Sequence, residues 1–193
     1  MVKTILFIPG FQEDLTTRDY AAVLTAIKGA GFKVQFVPIT WKGRSISGWV
    51  TEFMQVYAKY DPSTTILAGF SFGAVIALIA ASKRVPSELW LCSLSPYFAE
   101  DIPDVPVEWS EELGVRIIKG FEKVTFASLA PRVTCKTLLL VGESEGQEWP
   151  ILLRRSNEAH RLLADSLLTV IPGVHHDVAN LRYIQALVTQ ISI

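Results

Sequence analysis

Ser71 stands between two glycines in the run Gly69-Phe70-Ser71-Phe72-Gly73, where one pattern of residues gives way to another. Residues 64–68 are apolar or β-branched and read as a buried strand, while residues 74–82 are small and apolar and read as a helix. A serine on such a strand-to-helix hinge, flanked by glycines, is the pattern of a nucleophile elbow. The turn is tight enough to strain the backbone of residue 71, and side chains at 69 and 73 are expected to collide across it. The hydroxyl is held clear of the sheet at a helix start, where free N–H groups and the helix dipole favour negative charge.

Serine alone is a poor nucleophile; it needs a base for its proton and an acid to orient the base. The chain has three histidines. His160 lies in a helical pattern beside Arg161 and reads as a surface residue, whereas His175 and His176 follow the turn 171–174 after the last strand-like run. Candidate acids between Ser71 and these histidines are Glu143 and Glu145, just past the apolar run 136–141, with Glu148, Asp101 and Asp104 as further possibilities.

The elements that would position these groups alternate. Strand patterns cover 3–8, 33–37, 64–68, 88–94, 136–141 and 167–171, with helical patterns at about 17–30, 47–60, 72–83, 151–164 and 177–191. Ile5–Ile8 and Leu138–Val141 are apolar at every position, as strands covered on both faces are. The reading is an α/β fold, a three-layer α/β/α sandwich around a mostly parallel sheet of about six strands, in a single domain over 1–193. Ligands of such sheets bind at the carboxyl ends of the strands, where Ser71 and the two histidines fall. Residues 95–135 break the alternation with Pro96, Pro103, Pro106 and a helical pattern near 109–122 that includes Trp109, Leu113, Ile117, Ile118 and Phe121. This segment is either a short lid or pocket wall, or an ordinary crossover with an extra turn.

Composition narrows the classes further. The chain of 193 residues is 50% hydrophobic and 19% charged, with a net charge of −1. That balance argues against binding to nucleic acid or an anionic membrane. No apolar run approaches the roughly 18 residues of a membrane span, and the N-terminus reads as a first strand and not as a signal peptide. Cys92 and Cys135 lack C-x-x-C spacing, so no disulfide framework or zinc site is expected and a reducing cytoplasm is the expected compartment.

With these motifs in order, the chain resembles the small, nearly capless serine hydrolases of the α/β-hydrolase fold over essentially its whole length. The elbow 69–73 is the most specific element. Gly142-Glu143-Ser144-Glu145 is similar to the family's Gly-Glu-x-Asp loop, which implies Glu145 as the acid, with Glu143 one residue-step of loop rearrangement away. Pro172-Gly173-Val174-His175-His176-Asp177 is similar to its final turn, which implies His176 as base, with His175 the alternative and Asp177 an early residue of the last helix. An oxyanion hole needs two backbone donors, expected from Phe72 and, in the loop after the first strand, Phe11. That loop reads Pro9-Gly10 where the family usually has His-Gly.

The resemblance implies acylation of Ser71 followed by release with water. The expected activity is hydrolysis of a small carboxylic ester or thioester, with a pocket of Phe11, Tyr97, Phe98 and Trp149 that favours apolar groups. No cofactor or metal is implied, and the chain is expected as a monomer or homodimer. The rival readings are a peptidase, amidase or acyltransferase using the same residues, or a binding module that keeps the fold without the chemistry.

Overall fold

The computed structural model describes residues 2–191. Among these, six strands form one sheet: β1 (Thr4–Ile8), β2 (Lys33–Phe36), β3 (Thr65–Phe70), β4 (Glu88–Cys92), β5 (Lys136–Gly142) and β6 (Ser166–Ile171). They lie in the order β2-β1-β3-β4-β5-β6, and every pairing is parallel. The chain steps outward from β1 to β2, then returns to the other side of β1 as β3. That reversal opens a crevice at the carboxyl ends of β1 and β3.

Alternation along the strands sends side chains into two cores. Ile5 and Phe7 of β1 pack with Tyr20, Val23 and Ile27 of α1 (Tyr20–Gly29) and with Tyr183 and Leu187 of α9 (Leu181–Ile191). Leu6 and Ile8 face the opposite way, into the core formed with α2 (Ile46–Tyr57), α3 (Phe72–Lys83) and α8 (Pro150–Leu162). The result is three layers with the sheet in the middle. α3 is apolar around its whole circumference because it is enclosed, with residues 72–82 all buried.

The segment between β4 and β5 carries α4 (Val107–Leu113), α5 (Val115–Phe121) and α6 (Phe126–Leu129). The single helix expected near 109–122 is two helices. Gly114 separates them with φ +80°, a conformation open to glycine and costly for other residues. Two further expectations are corrected. Residues 143–148 form a short helix, α7 (Glu143–Glu148), and not a loop. The last helix begins at Leu181 and not at Asp177: Asn180 caps it, its Oδ1 accepting from Arg182 N, while the Asp177 carboxylate accepts from Arg18 and from the Ala179 N–H in the turn before it.

A buried ion pair ties this segment to α8. Arg155 and Asp101 are both almost fully enclosed, and the guanidinium meets the carboxylate with two hydrogen bonds. The same guanidinium lies 5.2 Å from the ring centroid of Phe98 and 4.9 Å from that of Phe126. Burial raises the Asp101 carboxyl above its usual range, against the opposing pull of Arg155.

Candidate active site

Ser71 has φ 56° and ψ −118°, a strained conformation for a residue with a side chain. Neighbouring backbone holds it there: its N–H donates to Cys92 O at 2.9 Å, and its carbonyl accepts from Ala74 N at 3.0 Å. The flanking glycines are required by contacts with backbone. A Cβ at Gly69 would lie 2.2 Å from Gly73 O, and one at Gly73 would lie 2.3 Å from Ile8 O and 2.4 Å from Pro9 O. The second glycine therefore serves the approach of α3 to β1, where a clash between side chains 69 and 73 was the expectation.

The structure separates the two histidines and the competing carboxylates. The Nδ1 of His176 is 2.9 Å from Glu145 Oε1. His175 turns outward, is largely exposed, and pairs with Glu148 at 2.9 Å. Glu143 accepts from Gly173 N at 3.0 Å on the surface. His160 contacts Ser166, Asp104 pairs with Arg154, and Asp101 is held by Arg155, so none of these joins the His176 cluster. Glu145 reaches His176 because α7 is pulled under the β6–α9 loop, with Glu145 N donating to Val174 O at 3.1 Å. Gly142 permits this approach, since a Cβ there would lie 2.1 Å from Val174 O.

Glu145 is fully buried, and a buried carboxylate must be matched by donors. Its second oxygen accepts from Ser93 Oγ at 2.8 Å and from Gly142 N at 3.1 Å. Ser93 follows β4 with φ 49°, and the Tyr183 hydroxyl lies 3.2 Å from its Oγ while donating to Leu140 O at 3.0 Å. Nothing in the sequence around Ser93 marks this role, which depends on four elements meeting in the core.

A second brace joins the β1 and β6 loops. Arg18 donates to Asp177 Oδ1 at 2.7 Å and His176 O at 3.3 Å, and on its other side to Glu13 Oε1. Glu13 in turn accepts from Gly10 N and from the Tyr20 hydroxyl. The His176 ring rests on Phe70, 4.7 Å between centroids, with the Arg18 guanidinium 5.0 Å from the same Phe70 ring.

Ser71 and His176 line one cavity of about 270 Å³. Phe11, Phe72, Tyr97 and Trp149 form much of its apolar wall, joined by Trp109 and Leu113 of α4 and by Leu152. Phe98, expected in this wall, is instead fully buried on the far side, where its ring meets Phe126 and Arg155. Trp109 and Leu113 sit four residues apart, the spacing of one helix face, and that is the signal by which sequence could have placed them here. The Ser71 hydroxyl is hydrogen-bonded to Ser95 Oγ at 3.0 Å; it has no hydrogen bond to His176. Hydrogen bonds of catalytic groups are often loose in unliganded enzymes and tighten around substrate.

Phe72 is the first residue of α3, so its N–H has no acceptor within the helix. No hydrogen bond from the Phe11 N–H occurs among the described residues. The arrangement offers a strained hydroxyl, an imidazole oriented by a buried carboxylate, and two amides near one apolar cleft. Among the described residues, no group of three or more His, Cys, Asp or Glu side chains converges as a metal site would. No helix of the described residues is long and apolar enough to cross a membrane.

No protein-family model and no curated protein matches the chain. Solved structures match it along almost its full length. Est1E from Butyrivibrio proteoclasticus is 16% identical, with a TM-score of 0.81 over 99% of this chain and 86% of that one. Bromoperoxidase from Bacillus anthracis is 14% identical, with a TM-score of 0.77 over 100% and 93%. MGS-MChE2, an alpha/beta hydrolase enzyme from a sediment metagenome of the Mar Chica lagoon, Morocco, is 18% identical, with a TM-score of 0.76 over 99% and 89%. The six-stranded parallel sheet and these superpositions show that the chain has the α/β-hydrolase fold.

Proposed function

We propose that the protein is a serine hydrolase that cleaves small carboxylic esters or thioesters through an acyl-Ser71 intermediate. The observation that carries this reading is the strained Ser71 facing the same cleft as a His176 ring anchored on a buried Glu145. Glu145 Oε1 holds the Nδ1–H, leaving Nε2 free to act as base. On substrate binding, rotation of the Ser71 side chain away from Ser95 brings its hydroxyl to that nitrogen. Ser71 Oγ attacks the acyl carbon while His176 takes the hydroxyl proton. The Phe72 and Phe11 N–H groups stabilise the negative oxygen that forms. Collapse breaks the bond to the leaving alcohol or thiol, which receives the proton from His176. Water, deprotonated by the same imidazole, then hydrolyses the acyl-serine and regenerates the hydroxyl.

The apolar, aromatic wall supports an apolar acyl or alkyl group, and about 270 Å³ supports one of modest size. Est1E is also described with ferulic acid bound, which supports including aromatic acyl groups among the substrates to try. The segment 95–135 acts as a pocket wall through α4. Cys92 and Cys135 are free and buried, and burial pushes their thiols up to about 12 and about 11, which keeps both unreactive.

A fluorophosphonate probe read by intact mass tests the proposal. One adduct on the wild type, absent in Ser71→Ala, is the expected result, followed by turnover of p-nitrophenyl esters or acyl thioesters. The Ser71–Ser95 hydrogen bond favours one alternative, a binding module in which Ser71 is not activated. A folded wild type that takes no adduct would establish that alternative.

Two positioning effects follow. Glu145→Gln should lower kcat about 10⁴-fold by disturbing the imidazole's tautomer and orientation. Ser93→Ala should lower kcat about tenfold with KM little changed, because it strips one donor, worth about 1–3 kcal/mol, from a buried carboxylate. Steady-state kinetics on one short ester separates the two. An unchanged kcat in Ser93→Ala would assign Ser93 to packing alone.

A further inference from the structure

A second cavity, of about 560 Å³, lies between the start of α2, the end of α3, α5 and α6, and it shares no lining residue with the Ser71 cleft. Four cations line it: Lys83, Arg116, Lys119 and Lys123. No carboxylate lines it, and none of the four cations pairs with a carboxylate among the described residues. Other lysines and arginines among the described residues also lack a carboxylate partner; what sets these four apart is that they surround one concavity. Like charges around one concavity repel one another and focus a positive potential into it. The remaining lining falls into two kinds. Ser45, Ser47 and Thr125 supply hydroxyls, while Ile46, Val50, Ile79 and Leu129 supply an apolar floor.

We propose that this cavity binds a phosphate monoester carrying an apolar substituent, the substituent on the floor and the phosphate among the cations. A phosphate monoester is near-dianionic at neutral pH and has three strong acceptor oxygens. Lysine ammonium and arginine guanidinium groups are its natural partners. A neutral apolar molecule would leave the four charges unanswered, and a bare anion would leave the floor unused. The volume suits a small organic molecule. Either a soluble metabolite or the head of an anionic lipid carries this chemistry.

Calorimetric titration tests it, using octyl phosphate, inorganic phosphate and octyl glucoside against the wild type and Ser71→Ala. Octyl phosphate should bind both proteins alike, at least tenfold tighter than either control, and more weakly as salt rises. The double variant Lys119→Glu/Lys123→Glu, whose substitutions are on the exposed surface, should weaken octyl phosphate at least tenfold without changing ester hydrolysis. The paired Lys119→Arg/Lys123→Arg should retain binding. Sedimentation with phosphatidylcholine vesicles with and without phosphatidic acid distinguishes the sources. Co-sedimentation only with phosphatidic acid, competed by octyl phosphate, identifies a lipid head; octyl phosphate binding without co-sedimentation identifies a soluble monoester. Equal affinity for octyl phosphate and inorganic phosphate, no binding of octyl phosphate, or binding unaffected by the double variant would overturn the proposal. Because Ser71→Ala binds like the wild type if the site is real, failure here is separate from failure of the hydrolase reading.

Discussion

Ser71→Ala is expected to lower kcat about 10⁶-fold on any ester the wild type hydrolyses, with His176→Ala costing nearly as much. The double variant should be little worse than either single one, because hydroxyl and imidazole act in one step and each is idle without the other. His175→Ala should leave kcat within about twofold, since that ring is turned to solvent and bound to Glu148. The reverse pattern, with His175 essential and His176 dispensable, would overturn the assignment of the base. Stability should move in the other direction at this site. Ser71 occupies φ 56° and ψ −118°, which costs a residue with a Cβ about 1–3 kcal/mol and glycine much less. Ser71→Gly should therefore be inactive and about 1 kcal/mol more stable than the wild type, whereas Ser71→Ala keeps the strain. Urea unfolding of the three proteins measures this, and a Ser71→Gly variant no more stable than Ser71→Ala would show that the strain is relieved elsewhere.

Asp101→Ala is the largest expected loss of stability, about 3–5 kcal/mol. It leaves the Arg155 guanidinium enclosed with no answering charge except Glu158, 3.1 Å away and partly solvated. That remaining contact, with the Phe98 and Phe126 rings, places the expected value toward the lower end of the range. For a chain of this length the loss corresponds to a fall in Tm of roughly 6–20 °C. Asp101→Leu with Arg155→Met should be much less damaging than either single change, because it removes both charges from the interior and keeps the volume. A double-mutant cycle in urea gives the coupling directly. If Asp101→Ala costs under about 1 kcal/mol, water reaches Arg155 and the pair is not buried in solution. The pair also joins the segment after β4 to α8, and Trp149 and Leu152 at the start of α8 line the Ser71 cleft. Loss of the pair should therefore raise KM in whatever protein remains folded.

The alternation of strands and helices was readable from the chain because its causes are local. Six apolar runs bounded by polar turns became the six strands, and residues 72–83 became α3, since helix and strand periods are properties of neighbouring residues. Gly69 was readable for the same reason, since a Cβ there meets the Gly73 backbone within the turn, whereas Gly73 is required by the approach of α3 to Ile8 and Pro9, which no local pattern shows. Only the tertiary structure shows that Glu145, and not Glu143, lies against His176, and that His175 turns to Glu148. Each pair is close in sequence and chemically alike, and the selection comes from Gly142 lying against Val174, which tucks α7 under the histidine loop. The donor Ser93, the hydrogen bond between Ser95 and Ser71, and the turning of Phe98 toward Arg155 were equally hidden. Each is a contact between residues more than twenty positions apart, set by how helices and strands pack and not by any pattern along the chain.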